Sequence, residues 1–412
     1  MPTTIPVTIL SGSLGAGKTT LLNHLLQTTG DRNLAVLVND MGSVNVDADL
    51  VAEGSDLDAG GVAELSNGCI CCELQDDLET SVVRLARNRE FDHLIVESSG
   101  ISEPAPVARL FTTASRVAAR YEIDALVTVL DTRQFLDSFD GTQPPKRRGS
   151  DDEETRPLSD LLIEQIEISN VVLVNKTDLC SAAELERAEA LVGGLQPDAT
   201  MIRTEFSAVD PDRLLGLERF DPDRIGELAG WQQLLSGEEG DGDDHDHDHD
   251  HDHDHDHDHR HPDELYGVES FVFRKRRPFH PERVAAVFSD LPPEVVRSKG
   301  IVWLADNDLK VDLSQAGPSV RATVRGPWID SLPEVDQDLY RSNRPDLEWH
   351  DEYGDRQTEL VFIGTDTHED HLRSQLNEAL VTDEEWETAD TLEDPFPSEQ
   401  DDELALREHS NG

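Results

Sequence analysis

Lysine is scarce in this chain of 412 residues: six lysines, at 18, 146, 176, 275, 299 and 310, stand against 87 aspartates and glutamates. The formal net charge is −52 at pH 7. A field of that sign argues against a nucleic-acid partner, since phosphate backbones are held by cationic side chains. An acidic, lysine-poor surface resembles that of halophilic proteins, whose salt-rich cytoplasm screens self-repulsion within a few ångströms. One acidic protein in an ordinary cell is the rival reading. Long apolar runs are missing too. None approaches the ~18 residues of a membrane span, and Met1–Pro6 carries no charged segment with an apolar stretch behind it. No membrane partner is therefore expected, and the expected compartment is the cytoplasm. Cysteine is limited to four residues, three of them within Cys69–Cys72. That is no disulfide framework, and in a reducing compartment such a cluster binds metal or does redox work.

What the chain does contain is alternation. Over residues 1–210, strand-like runs at Val7–Leu10, Leu34–Val38, His93–Val96, Ala125–Leu130, Asn170–Val174 and Met201–Thr204 are interleaved with helical patterns at Thr19–Gln27, Leu74–Arg89, Ala105–Arg120 and Asp160–Ile168. This predicts an α/β domain with a parallel sheet covered by helices on both faces. Asp137–Ser159, rich in charge and punctuated by Gly and Pro, reads as a surface loop. Residues 211–264 change composition sharply and read as a disordered linker holding an alternating Asp/His tract. Residues 265–380 form a second, smaller α+β unit, with strands at Gly267–Arg274, Gly300–Leu304 and Gln357–Gly364 and a helix at Pro281–Leu291. Residues 381–412 read as an acidic tail.

Three strand-end motifs carry the chemistry. Gly12, Ser13, Leu14, Gly15, Ala16, Gly17, Lys18 and Thr19 spell G-x-x-x-x-G-K-T between a strand and a helix, with Thr20 following. Such a loop turns backbone N–H groups toward phosphate oxygens, Lys18 reaches the β/γ-phosphates, and the Thr19 hydroxyl suits Mg²⁺. Asn175-Lys176-Thr177-Asp178 follows the fifth strand directly. The Asp178 carboxylate can accept from guanine N1–H and the 2-amino group, which makes GTP the expected nucleotide. Glu97-Ser-Ser-Gly100 ends the third strand. Glu97 is placed for the outer sphere of Mg²⁺ or the attacking water, and Gly100 for a γ-phosphate contact. Ser207-Ala208 is a weaker second signal for guanine.

Two further features point to a soft or borderline metal. Cys69, Cys71 and Cys72 sit just before a helix start, where thiol pKa values fall and thiolates form. Sulfur ligands select Zn²⁺ or Cu⁺ over Mg²⁺. Small buried hydrophobes or a redox pair are the alternatives, the latter disfavoured by C-x-C spacing. His245, His247, His249, His251, His253, His255, His257 and His259 alternate with Asp. They read as an auxiliary store for Zn²⁺, Ni²⁺ or Co²⁺, against a plain acidic spacer.

Together, Gly12–Thr20, Leu65-Ser-Asn-Gly-Cys-Ile-Cys-Cys72, Glu97–Gly100 and Asn175–Asp178 resemble the CobW-type metal-handling GTPases. That family includes zinc metallochaperones and proteins tied to cobalamin biosynthesis. The resemblance continues in Arg297–Ala305, Gly354–Gly364 and Asp394–Pro397. It implies a P-loop NTPase fold, slow Mg²⁺-dependent GTP hydrolysis, metal bound through the C-x-C-C thiols with Cys71 foremost, and transfer to a metalloprotein client docked on the C-terminal unit. A homodimer is kept as a candidate assembly. Where relatives read Asn-Glu-Phe-Gly-Glu, this chain has Asn39-Asp40-Met41-Gly42-Ser43. A carboxylate-assisted metal site is thereby put in doubt, leaving Asp40 and Asp47 for the switch segment. Cobalt delivery for cobalamin synthesis, a nucleotide-tuned metal buffer and an ATP-using kinase are the rivals.

Overall fold

The computed structural model describes residues 4–30, 32–38, 62–64, 73–88, 90–100, 104–113, 115–139, 157–221, 232, 268–344, 347–365, 367–400 and 402–407. The chain divides into two compact units, Met1–Ala229 and Gly230–Gly412.

The first unit is a sheet of seven strands: β1 (Ile5–Ser11), β2 (Leu34–Val38), β3 (Val62–Glu64), β4 (His93–Glu97), β5 (Tyr121–Asp131), β6 (Val171–Asn175) and β7 (Thr200–Arg203). Their order is β3-β2-β4-β1-β5-β6-β7, and every pairing is parallel. Its helices are α1 (Lys18–Thr28), α2 (Glu73–Asn88), α3 (Ala105–Thr113), α4 (Ser115–Ala118), α5 (Thr132–Asp137), α6 (Leu158–Glu167) and α7 (Ala182–Leu195). Alternation along the strands sends successive side chains to opposite faces. Leu10, Val36, Ile95 and Val127 join Leu21, Leu22 and Leu25 of α1 in one cluster. Ile9, Leu37, Val96 and Leu126 join Val82 and Leu85 of α2 and Phe111 of α3 in the other. The expected parallel sheet with helices on both faces is therefore what the chain builds. After β1 the chain crosses to β2 on one side, and after β4 it crosses back to β5 on the other. Such a reversal opens a crevice at the carboxyl ends of the central strands.

Several boundaries differ from the sequence reading. The helical pattern over Ala105–Arg120 is two helices, and β5 begins already at Tyr121. β3, α5 and α7 add to the expected elements, and α7 is announced by a Ser181–Glu184 capping box and by Leu185, Ala188, Leu191, Val192 and Leu195 at helical spacing. Residues 211–221, read as the start of a linker, are built into the first unit. Leu214 and Leu215 are buried in its α1-side core, and each such burial contributes roughly 2 kcal/mol.

The second unit is a six-stranded antiparallel sheet, ordered β13-β11-β10-β9-β12-β8. Its strands are β8 (Glu269–Lys275), β9 (Val295–Val302), β10 (Leu309–Ala316), β11 (Ser319–Pro327), β12 (Thr358–Gly364) and β13 (Glu403–Arg407). Helices α8 (Pro281–Ser289) and α10 (Glu369–Ala379) pack on one face through Val284, Phe288, Leu372 and Leu376. Between them in sequence lies α9 (Glu334–Asn343), and α11 (Asp383–Glu387) follows α10. The segment read as an acidic tail thus carries α11 and an edge strand, β13, paired with β11. Among the described residues no helix is long and apolar enough to cross a membrane.

Candidate nucleotide site

β1 stops at Ser11 and α1 starts at Lys18, so the six residues between them must wrap tightly. Gly17, the residue before the helix, has φ of 116°. A Cβ there would lie 2.6 Å from both Asn175 Nδ2 and Ser207 Oγ, so only glycine fits. The first turn of α1 holds no acidic side chain, which leaves the positive end of the helix uncompensated. Lys18 is 7% exposed, and its ammonium donates to the carbonyls of Gly12 (2.9 Å) and Ser13 (3.2 Å). The loop is thus curled around its own cation.

Glu97, at the end of β4, stands in register with Leu10 of β1 and is 3% exposed. Ser98 fastens the next step, its N–H donating to Leu10 O at 2.8 Å. Gly100 then comes close against the phosphate loop: a Cβ on it would meet Leu14 N at 2.8 Å and Lys18 Nζ at 3.1 Å. The Glu97 carboxylate and the Thr19 hydroxyl offer oxygen donors only, the chemistry a hard cation such as Mg²⁺ takes.

Asn175 is the knot of the site. Its Nδ2 donates to Ala16 O (2.8 Å) and to Ser207 Oγ (2.9 Å), and its Oδ1 accepts from Ser207 N (2.9 Å) and Thr204 Oγ1 (3.0 Å). Ser207 Oγ in turn donates to Gly17 O at 3.0 Å. One buried amide therefore ties the phosphate loop, the end of β6 and the turn after β7 together. Lys176 follows in the left-handed region at φ 60°, its ammonium 2.5 Å from Asp131. Asp178 sits in a single 3-10 turn, Thr177–Leu179, exposed and free to meet a ligand edge. Glu205–Ala208 is a tight turn closed by Ala208 N donating to Glu205 O at 3.0 Å. Phe206 and Ser207 at its centre both have positive φ, 52° and 56°.

Of the sequence-derived site residues, the structure brings together Gly12–Thr20, Glu97, Gly100 and Asn175–Asp178 at one edge of the sheet. Cys69, Cys71 and Cys72, Asp40 and Asp47, and the histidines from His245 to His259 lie outside the described residues. Among the described residues no group of three or more His, Cys, Asp or Glu is placed to hold a metal. Cys180, two residues past Asp178, has its thiol pushed up chiefly by burial, with Glu184 adding to it. Sequence reasoning missed Asp131, Thr132 and Gln134. Their signal was the D-x-x-Q spacing of a helix start at Asp131–Gln134, a known capping pattern.

Residues 6–203 match the family model described as CobW/HypB/UreG, nucleotide-binding domain, and residues 268–380 match the cobalamin synthesis protein cobW C-terminal domain. The zinc-regulated GTPase metalloprotein activator 1 of Dictyostelium discoideum is 35% identical over 404 residues, covering 92% of this chain and 81% of that protein. A zinc chaperone CobW from Sinorhizobium is 32% identical over 223 residues, 52% of this chain and 62% of its own length. The zinc-bound YjiA GTPase of E. coli, at 20% identity, spans 92% of this chain and 99% of its own with a TM-score of 0.38, too loose a likeness to bear on the site. Two family domains in the right order and a relative aligned over nearly the whole sequence agree: the chain belongs to the CobW/HypB/UreG family of P-loop GTPases.

Proposed function

We propose that the protein is a cytosolic metallochaperone that binds and slowly hydrolyses GTP and couples nucleotide state to the loading and release of a thiophilic metal, passed on to a metalloprotein client. The observation that carries the nucleotide half is the Asn175 knot, which holds the base-reading loop and the phosphate loop as one rigid piece. In this reading the N–H groups of Gly12–Gly17 and the start of α1 receive the phosphates. Lys18 leaves its two carbonyls to neutralise the β/γ oxygens, and Asp178 accepts from the guanine edge. Thr19 and Glu97 would hold Mg²⁺, which would supply charge neutralisation at the phosphates. Gly100 brings its N–H to the γ-phosphate, and lying three residues past the end of β4, against the phosphate loop, it is the natural sensor of hydrolysis.

The metal is the cargo. Zinc is favoured because curated relatives are named as zinc chaperones and a zinc-regulated activator. The Cys69, Cys71 and Cys72 thiolates are its proposed site, with the Asp/His tract as an auxiliary store and the C-terminal unit as the client platform.

The test of the nucleotide half is a base swap. Asp178→Asn keeps one acceptor but turns one carboxylate oxygen into a donor. Xanthine, with a carbonyl where guanine has an amine, then fits better. GTP affinity should fall about 100-fold, the worth of two hydrogen bonds to a charged group, while XTP affinity rises. ATP turnover equal to GTP turnover in the wild type would sink the guanine assignment. For the metal half, Zn²⁺ and Co²⁺ affinities are measured with GDP and with a non-hydrolysable GTP analogue. A metal that tightens in the GTP state must tighten GTP equally. Zinc alone should show that coupling and lose it in Cys71→Ala. Coupling shown by cobalt alone favours the cobalt reading. Metal binding that vanishes with residues 243–261 and ignores Cys71→Ala favours a buffer.

A further inference from the structure

The start of α5 makes four hydrogen bonds that the phosphate-loop and base-loop motifs do not anticipate. Asp131, the last residue of β5, is 9% exposed and divides its carboxylate. One oxygen accepts from Gln134 N at 3.2 Å and caps α5, while the other accepts from Lys176 Nζ at 2.5 Å. Thr132 Oγ1 donates to Asn175 O at 2.6 Å. Gln134 Oε1 accepts from Ser13 Oγ at 2.7 Å. Ser13 and Thr132 are fully buried. A helix of six residues, together with its cap Asp131, thus grips the second residue of the phosphate loop with one side chain and both leading residues of the base loop with two others.

We propose that Asp131 and Gln134 are positioning residues for the nucleotide, with α5 acting as a bracket that fixes the spacing between phosphate loop and base loop. This rests on the reading of the site as a GTP site. A nucleotide holds its base and phosphates at a separation set by the ribose, so two loops that bind opposite ends gain affinity only when held at that separation beforehand. The Asn175 amide joins the loops at their roots. The bracket acts further out, where side chains meet the ligand. Lys176 must lay its methylene stem along the base, and an ammonium tethered to Asp131 holds the stem in one direction. Ser13 must keep its backbone aimed at phosphate, and Gln134 stops its hydroxyl from turning away. Neither Asp131 nor Gln134 needs to touch the nucleotide.

The bracket is tested on the full chain by titrating N-methylanthraniloyl-GDP, with thermal melts run in parallel. Asp131→Asn keeps an oxygen to cap α5 and loses the charge that holds Lys176, so it isolates the tether from the cap. It should weaken the probe about tenfold, the scale of one partly buried charge-assisted bond. Gln134→Leu, similar in size and without the acceptor, should weaken it several-fold. The decisive readout is non-additivity. Asp131→Asn combined with Lys176→Met should bind no more weakly than Lys176→Met alone, and Gln134→Leu with Ser13→Ala no more weakly than Ser13→Ala. Losses that add within each pair, or single variants that bind as the wild type does, overturn the proposal. A wild type that fails to bind the probe, or a Lys18→Ala variant that binds it equally well, overturns the GTP reading and the bracket with it.

Discussion

Phe206 combines two features that a stable fold avoids. It is 73% exposed, and its backbone stands at φ 52°, where a Cβ is strained. The turn it occupies has positive φ at both centres, a geometry in which Asn and Gly predominate. Only the bonds of its neighbour Ser207 to Asn175 and Gly17 explain how the strain is held. Strain of this kind costs of order 1–3 kcal/mol per residue. Phe206→Gly should therefore raise the urea midpoint, by about 1 kcal/mol in stability, since glycine relieves the strain but widens the unfolded ensemble. A midpoint that falls would show that the ring packs on something that stabilises it. At this scale the sequence was readable wherever chemistry is contiguous, as in Gly12–Thr19 and Asn175–Asp178. It was opaque at Asn175 to Ala16 and at Gln134 to Ser13, because those partners lie 159 and 121 residues apart and no local pattern announces them.

Strands and helices were legible in proportion to their apolar periodicity. β1, β2, β4 and β6 are dense in Val, Ile and Leu and stood out. α9 sets Val335 and Leu339 four residues apart on one face, yet both are exposed, at 79% and 59%, and no residue of the helix is buried, so a stripe in the sequence did not foretell burial here. β13 hides its Leu404 and Leu406 alternation inside an acidic stretch, although both leucines pack against the core of the second unit. The three neighbouring strands β4, β1 and β5 carry a buried polar cluster that also escaped notice. His93 Nε2 lies 2.8 Å from Thr8 Oγ1 and 3.8 Å from Asp124. Asp124 accepts from the N–H groups of Gly216 (2.7 Å) and Glu218 (2.6 Å), which pins the segment leaving the first unit onto the sheet. Burial pulls the His93 pKa down to about 4, against the opposing pull of Asp124 and with a small push from Arg32. The folded His93 thus stays neutral while its unfolded counterpart protonates from the ordinary value of 6.5 downward. Stability from this group is complete above pH 6.5 and is lost as pH falls toward 4, by about 2–3 kcal/mol at pH 4.5. Urea titrations of the wild type and His93→Gln at pH 7.5 and pH 4.5 check this. The wild type should lose that much more on acidification than the variant, and equal losses would remove His93 from the account.

Across the whole molecule, the 87 acidic side chains outnumber the 35 basic ones so heavily that pairing cannot neutralise the surface. Most described ion pairs are made by arginine, as in Arg203–Glu189, Arg325–Asp312 and Arg283–Glu385, where a planar fork holds a carboxylate at 2.6 Å. Pairs whose arginine stays in solvent are each worth only about 0–1 kcal/mol, and they leave a large uncompensated negative field. Compaction gathers that charge, so repulsion is greater in the folded state than in the expanded one. At 0.1 M salt charges act over about 10 Å, and at 1 M over about 3 Å. The melting temperature should accordingly climb between 0.1 and 1 M KCl and flatten beyond it, as the Debye length falls below the spacing of neighbouring charges. The same field acts on an anionic ligand. GTP approaches a protein of its own sign, and the phosphate loop offers Lys18 and the start of α1 as positive ground. Its association rate should therefore rise with KCl over the same range, while a site embedded in a basic surface would slow. A melting temperature and an association rate that both fell with salt would mean that local ion pairs, rather than net charge, govern this molecule.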